Sequence, residues 1–203
     1  MKFENSQTLI NLCSSYTAET QEGARYQFMA KMALQQNLTA LQRILKNLAQ
    51  NEMAHAEQFF NKIKDKTNPG FVSNVRIDAT YNYAGGDLQQ MLDDTVEIER
   101  HQQKVVYKNF EKVATDEGFP DIAQLFNMIA DIEGDHAALV KQIAEQLRDD
   151  KLYQTATKNP WKCSECGHEE TDTAAPKKCP VCQMPQGTYY LKTDLARYFR
   201  RQA

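Results

Sequence analysis

The chain has 203 residues, of which 41% are hydrophobic and 25% are charged, which is enough for one medium-sized core and a small appendage. A net charge of −3 lacks the basic surplus typical of nucleic-acid binding, so we expect no nucleic-acid partner. The sequence has no run of 18 apolar residues, and its first residues lack a secretory pattern. We therefore expect no membrane span and a cytoplasmic location.

Four long segments show apolar residues at helical spacing. They predict helices over about 6–35, 38–66, 87–116 and 120–150, with Asn5 or Ser6 and Asp87 as N-caps. Short connections join the first helix to the second and the third to the fourth, whereas 67–86 separate the middle two. A connection of that length suits a crossover along a four-helix bundle, which is the ferritin-like arrangement.

Each predicted helix has an inward stripe that is apolar at both ends and carries a glutamate near its middle. The first stripe also includes Tyr16, and the third continues through Val106 and Val113. In the second and fourth helices a histidine follows the glutamate by three residues, so both side chains share one face. The candidate metal ligands are Glu19, Glu52, His55, Glu99, Glu133 and His136.

Four carboxylates in a dry core repel one another, and two histidines neutralise little of that charge. Two divalent cations would balance them, and two Glu helices plus two Glu-x-x-His helices are the signature of ferritin-like di-iron proteins. Iron is the preferred metal, although manganese and zinc also suit these ligands. Tyr26 and Tyr107 lie two turns beyond Glu19 and Glu99, as candidate proton donors or ligand-orienting groups, or as ordinary core aromatics.

Four of the five cysteines form two close pairs in the last fifth of the chain. Cys163 and Cys166 are separated from Cys179 and Cys182 by twelve residues, a spacing typical of a tetrahedral thiolate site. The spacing leaves iron and zinc both open. The composition changes near 152–160, which predicts a ferritin-like domain over 1–155 and a small metal-held domain over 156–203.

Together these features resemble the rubrerythrin family over essentially the whole chain. The helical part is similar in Glu19, Arg25-Tyr26, Glu52-x-x-His55, Glu99, Tyr107 and Glu133-x-x-His136. The tail is similar to rubredoxin in Cys163-x-x-Cys166-Gly167 and Cys179-Pro180-x-Cys182.

The resemblance implies a peroxidase that reduces hydrogen peroxide to water at a di-iron site, with Glu52 and Glu133 bridging the two ions. A mononuclear iron held by the four cysteines would relay electrons from an NAD(P)H-linked reductase or a rubredoxin. Members of the family form homodimers, in which one subunit's rubredoxin centre lies near the other subunit's di-iron site. We expect the same assembly, or a higher homo-oligomer, here.

One position departs from the family pattern, which has two glutamates three residues apart on the third helix. The second of these positions is Gln102, which cannot supply a carboxylate. The resulting hypothesis is a six-ligand site in which His55 stays bound in both redox states, with Gln102 beside the ligands. Two alternatives remain open: a ferroxidase or oxidase that uses dioxygen at the same site, and a non-catalytic metal-binding protein whose tail is a zinc ribbon.

Overall fold

A computed structural model describes residues 2–67, 74–78 and 85–192. In this part of the chain the helices are α1 (Gln7–Gln35), α2 (Thr39–Lys66), α3 (Leu88–His101), α4 (Tyr107–Asp116) and α5 (Pro120–Arg148). A π-helical segment, Gln102–Val106, joins α3 to α4, and 3₁₀ turns cover Phe3–Asn5 and Gln186–Thr188. The strands are β1 (Gln154–Cys163), β2 (Glu169–Ala174) and β3 (Tyr189–Leu191).

The predicted four-helix ferritin-like bundle is confirmed. Helix α1 packs mainly against α2, and α3 and α4 both pack against α5. The crossover predicted over 67–86 lies largely outside the described residues. No helix in the described ranges is long and apolar enough to cross a membrane.

Two predicted N-caps hold the starts of long helices. The Ser6 hydroxyl accepts a hydrogen bond from the Leu9 N–H at 3.1 Å, and the Asp87 carboxylate accepts one from the Gln90 N–H at 2.9 Å. Each bond satisfies an N–H group that has no partner inside its own helix. Of the two candidates at the first helix, Ser6 rather than Asn5 is therefore the cap.

The third predicted helix contains the π-helical segment, which its periodicity did not indicate. A π turn holds one more residue than an α turn, so the residues beyond it shift by one position on the inner face. The predicted inward positions Val106 and Val113 are therefore only half-buried, although Val106 still packs against the apolar core. Tyr107 and Ala114, one residue later, are buried instead.

The predicted inward stripe of α1 is wrong at one position. Tyr16 is 41% exposed and packs its ring against Phe60 on the outer surface. Ser15 is the buried residue one turn before Glu19. Steps of three and of four residues both fit a 3.6-residue period, and the buried face of α1 follows the three-residue step from Leu12 to Ser15.

The apolar core of the bundle consists of two clusters, one toward each end. The first is built around Tyr26, Leu45, Leu48 and Leu92, and the second around Leu12, Phe59, Tyr107 and Phe126. The glutamates and histidines of the predicted site occupy the layer between them. Hydrocarbon on both sides therefore encloses a polar centre.

The cysteine-rich segment forms a three-stranded antiparallel sheet with strand order β2-β1-β3. Its small core contains Trp161, Cys163, Ala175, Cys179 and Tyr189. Strand β1 begins at Gln154, so the predicted division between 155 and 156 falls in its first residues and stays a prediction. Residues 193–203 of the predicted second domain lie outside the described ranges.

The sheet segment contacts one end of the bundle. The Arg43 guanidinium on α2 donates to the Ser164 carbonyl oxygen and pairs with the Glu165 carboxylate. Gly187 lies so close to the α1–α2 turn that a Cβ atom there would be 1.7 Å from the Asn37 carbonyl oxygen. Only glycine permits this approach.

Candidate metal centres

The six predicted Glu and His ligands converge in the middle of the bundle. Each is at most 7% exposed, although they come from four separate helices. Their donor atoms form two sets, within each of which every atom lies within 4.8 Å of the others. The first set is Glu19, Glu52, His55 and Glu133, and the second is Glu52, Glu99, Glu133 and His136.

Glu52 and Glu133 belong to both sets because each presents one oxygen to each histidine. His55 Nδ1 lies 3.1 Å from Glu52 Oε2 and 3.0 Å from Glu133 Oε1. His136 Nδ1 lies 2.9 Å from Glu52 Oε1 and 3.0 Å from Glu133 Oε2. Two carboxylates thus span two neighbouring positions, each of which has one imidazole nitrogen.

The charges of this cluster are strongly coupled. Burial, followed by repulsion from Glu133, raises the pKa of Glu19 and of Glu99 well above the usual range. Burial by itself lowers the pKa of the histidines, but the surrounding carboxylates raise it to about 12 for His55 and about 10 for His136. Burial raises the pKa of Glu133, yet both histidines together lower it to about 2. The carboxylates therefore strongly stabilise positive charge at the centre of the bundle.

The donor set fits two cations better than it fits protons. Neither Glu52 oxygen has a hydrogen bond of normal geometry to a described residue, and the same holds for Glu99 Oε2 and Glu133 Oε1. Buried carboxylate oxygens are rarely left without partners, and metal ions are a usual way of satisfying them. Oxygen and imidazole donors match the preferences of iron.

Both predicted tyrosines reach the cluster. The Tyr26 hydroxyl donates to Glu99 Oε1 at 2.7 Å, and the Tyr107 hydroxyl donates to Glu19 Oε1. Burial, followed by the charges of Glu99 and Glu19 respectively, raises the pKa of each phenol well above its usual value. Each hydroxyl therefore keeps its proton at neutral pH.

Glu22 is a buried carboxylate near this site that the sequence reasoning did not single out. It follows Glu19 by three residues and is 3% exposed. Gln102 Nε2 donates to its Oε1 at 2.7 Å, so the residue that departs from the family pattern touches this carboxylate. The signal was present, since Glu19 and Glu22 have the same i, i+3 spacing as the two Glu-x-x-His pairs.

The four paired cysteines form a second centre. The Cys163–Cys182 and Cys166–Cys179 sulfur distances are 3.7 and 3.6 Å. A tetrahedral site with metal–sulfur bonds of about 2.3 Å needs sulfurs about 3.8 Å apart, so the thiols are already close to binding geometry. Burial raises the pKa of Cys179, but N–H groups of the Cys182 loop and the Tyr189 hydroxyl lower it to about 6.

The bundle with its Glu/His centre and the sheet with its four cysteines define a ferritin-like di-iron protein that carries a rubredoxin-like module. The rubrerythrin family model matches residues 11–144 and 90–202. Because these matches cover most of the chain, the protein belongs to the rubrerythrin family.

Similar proteins agree with this assignment. Rubrerythrin-1 of Clostridium acetobutylicum is 28% identical over 192 residues, which cover 94% of this chain and 97% of that protein. Rubrerythrin of Clostridium perfringens is 30% identical over 187 residues, covering 92% and 94%. Fully reduced nigerythrin shares the fold with a TM-score of 0.59 at 22% identity, covering 93% and 91%. Bacterioferritin of Mycobacterium tuberculosis does so with a TM-score of 0.58 at 21% identity, covering 72% and 87%.

The predicted cofactors are confirmed at the level of the family. A rubrerythrin binds a di-iron centre and a rubredoxin-type iron, and this chain has a Glu/His cluster and a four-cysteine cluster suited to them. The role of each individual side chain stays a prediction.

Proposed function

We propose that the protein reduces hydrogen peroxide to water at its di-iron centre and receives electrons through its four-cysteine iron. The observation that supports this most strongly is the pair of donor sets that share Glu52 and Glu133, in the same chain as a thiolate cluster. When bound, the paired iron ions supply two electrons and Lewis acidity.

The ligand assignment follows the two donor sets. Glu19 and His55 would hold one ion, and Glu99 and His136 would hold the other. Glu52 and Glu133 would bridge the two ions, since each directs one oxygen to each histidine. Apolar clusters on both sides keep bulk water away from these six donors.

The tyrosines would orient ligands and hold protons. Reduction of one peroxide to two waters consumes two protons and two electrons. Tyr26 and Tyr107 each hold one ligand carboxylate by a hydrogen bond, and their raised pKa keeps the phenolic protons in place. We propose that these hydroxyls orient Glu99 and Glu19 and hold protons close to the reacting oxygens.

A cleft of about 510 Å³ between α1 and the π-helical segment would admit the substrate. Glu22, Gln102 and Tyr107 are among its lining residues, which places it next to the proposed ligands. Asn11 and Ser15 also line it, and each has a buried polar atom without a hydrogen-bond partner among the described residues. A polar cleft of this size suits a small hydrophilic molecule such as peroxide.

The proposed electron donor is an NAD(P)H-linked reductase or a rubredoxin, and the proposed location is the cytoplasm, where thiols stay reduced. Cys166 is exposed, so an outside donor can approach the four-cysteine centre. Within one chain this centre docks near Arg43, which lies nine residues before Glu52 on α2 and thus about 13 Å along the helix axis. We propose a homodimer in which electrons pass from the four-cysteine centre of one subunit to the di-iron centre of the other.

Single-turnover kinetics test the proposed reaction. Anaerobically iron-loaded, fully reduced protein is mixed with hydrogen peroxide or with dioxygen, and reoxidation is followed by visible absorption in a stopped-flow instrument. We expect reoxidation by peroxide to be at least tenfold faster at equal concentrations. Faster reoxidation by dioxygen would favour an oxidase, whereas zinc in the cysteines and no iron in the bundle would favour a binding protein.

Two variants separate the centres. Glu133→Gln should abolish peroxide-dependent reoxidation, and Cys179→Ser should retain one turnover at the bundle but lose turnover driven by NADH and a reductase. Mixing the two variants should restore part of this turnover if electrons cross between subunits. Glu97→Gln is the matched control, because Glu97 lies on α3 and is exposed.

A further inference from the structure

We propose that Glu22 is a fifth carboxylate ligand of the di-iron centre, supplied by α1 and positioned by Gln102. This inference rests on the proposed ligand set but not on the identity of the substrate. It replaces the six-ligand hypothesis with a seven-ligand site.

Glu22 is placed close to the proposed ligands. It lies one turn after Glu19 on the same face of α1, and its side chain is almost completely buried. Burial first, and then the carboxylates of Glu19, Glu52 and Glu133, raise its pKa, as expected for a carboxylate close to the cluster. The charge of Arg25 opposes this effect only as a smaller contribution.

The two oxygens of the Glu22 carboxylate differ in their hydrogen bonding. Gln102 Nε2 donates to Oε1 and fixes the orientation of the carboxylate. Oε2 is buried and has no hydrogen-bond partner among the described residues. An oxygen held in place by a neutral donor, beside a cluster of metal-ligand type, is suited to bind a cation.

Charge balance also favours Glu22 as a ligand. Glu19, Glu22, Glu52, Glu99 and Glu133 together carry five negative charges when ionised, against four positive charges for a diferrous pair and six for a diferric pair. Counted on these carboxylates alone, the centre stays within one unit of neutrality in both states. Without Glu22 the same count leaves two positive charges on the diferric pair, which bound solvent would have to balance in a buried site.

The hydrogen bond between Gln102 and Glu22 also explains why position 102 is a glutamine and not a glutamate. A glutamate at position 102 would place a second carboxylate against Glu22, and the two would repel each other. Gln102 instead offers an N–H donor to the carboxylate, so it acts as a positioning residue. The carboxylate that the family pattern has on the third helix is here on the first.

Anaerobic metal titration of the full-length protein tests the inference without peroxide. Co²⁺ and Fe²⁺ are titrated into metal-free wild type, Glu22→Gln and Glu97→Gln, and binding to the bundle is followed by calorimetry and by the ligand-field spectrum of Co²⁺. We expect Glu22→Gln to weaken one of the two ions by at least about tenfold and to alter the Co²⁺ spectrum. Glu97→Gln should match the wild type.

Two further measurements separate a ligand from a merely structural residue. The reciprocal double variant Glu22→Gln/Gln102→Glu moves the carboxylate back to the third helix and should regain most of the lost affinity. A crystal structure of the Fe²⁺-loaded protein should show Glu22 Oε2 bonded to iron. Circular dichroism of each metal-free variant checks that the bundle is folded.

Affinities of Glu22→Gln within twofold of wild type for both ions would overturn the inference. So would a metal-loaded structure in which Glu22 contacts only Gln102. Either result would leave the proposed peroxidase untouched, because its test compares oxidants on loaded wild-type protein. Conversely, faster reaction with dioxygen would refute the peroxidase and leave the role of Glu22 standing.

Discussion

The bundle and the cysteine module use metal sites in opposite ways. Two apolar clusters hold the bundle together, and its carboxylates are buried against their own repulsion. The core of the module contains only a few side chains, two of which are cysteines of the metal site. The apolar core of the bundle therefore holds its metal ligands in place, whereas we expect folding of the module to depend on bound metal.

This difference has a thermodynamic consequence. Unpaired buried charges destabilise a folded state, so the empty bundle carries a penalty that its hydrocarbon core offsets. A small sheet lacks a large apolar core. In comparable small domains, binding of a structural metal contributes on the order of 10 kcal/mol to folding. Four measurements test this difference between the bundle and the module, and they follow in order of decreasing expected effect.

The largest effect is expected for Cys179→Ser, because loss of one thiolate removes the metal that holds the module. Trp161 is the single tryptophan of the chain and is fully buried in the module, so its fluorescence reports on this region alone. We expect red-shifted emission typical of an exposed indole, with helical circular dichroism nearly unchanged. Cys13→Ser is the control, since Cys13 packs against the second bundle cluster. Unchanged Trp161 emission in Cys179→Ser would contradict the proposal that the module needs its metal to fold.

Leu48→Ala should affect the bundle in the complementary way. Leu48 is fully buried in the first apolar cluster, and deleting such a side chain lowers the free energy of unfolding by about 2–5 kcal/mol. Urea unfolding followed by circular dichroism measures this, while Trp161 fluorescence should show an intact module. Leu34→Ala serves as the control because Leu34 is 49% exposed. Equal losses in both variants would contradict the assigned core.

Glu99→Gln should stabilise the metal-free bundle by about 1–2 kcal/mol, because burial and the neighbouring carboxylates penalise ionisation of Glu99 and an amide does not ionise. The amide oxygen can still accept the hydrogen bond from Tyr26. Thermal unfolding of the metal-free protein measures the gain, and the iron-loaded variant should be less stable than loaded wild type. Glu97→Gln should change neither state by more than about 0.5 kcal/mol. If metal-free Glu99→Gln is less stable than wild type, the buried carboxylates do not destabilise the metal-free bundle as proposed.

The smallest effect is expected at the start of α1. Glu117 accepts hydrogen bonds from the N–H groups of Gln7 and Thr8 at 2.9 and 2.8 Å. Glu117→Gln should lower the free energy of unfolding by about 1 kcal/mol at neutral pH, as other losses of a cap do.

The pH dependence of this effect has a definite sign. Partial burial raises the pKa of Glu117, but the hydrogen bonds from Thr8 and Gln7 lower it overall below 4.5. Its contribution is therefore present above about pH 4.5 and is lost as the pH falls through the folded-state value. Unfolding of the wild type and Glu117→Gln should converge in acid, with exposed Glu57→Gln as the control. A difference that persists at low pH would contradict the cap.

Much of this protein was predictable because its signals are local. Helical periodicity, the i, i+3 pairs Glu52/His55 and Glu133/His136, and the Cys-x-x-Cys pairs each span only a few residues of sequence. Helix ends were also close to prediction, because Ser6 and Asp87 cap through bonds only three residues away. The error at Tyr16, and the lower burial of Val106 and Val113, arose where one step of the period, or one inserted residue, changed the inner face.

The sequence alone determined which side chains are candidates for metal binding. A charged side chain on the apolar face of a helix becomes buried and needs an opposite charge, whichever helix packs against it. Only the tertiary structure decided that Glu52 and Glu133 each face two histidines and that Gln102 holds Glu22. It also decided that Glu117 caps a helix 110 residues away. These contacts join distant segments, so they depend on how helices pack and where a π turn rotates one of them, which no local spacing encodes.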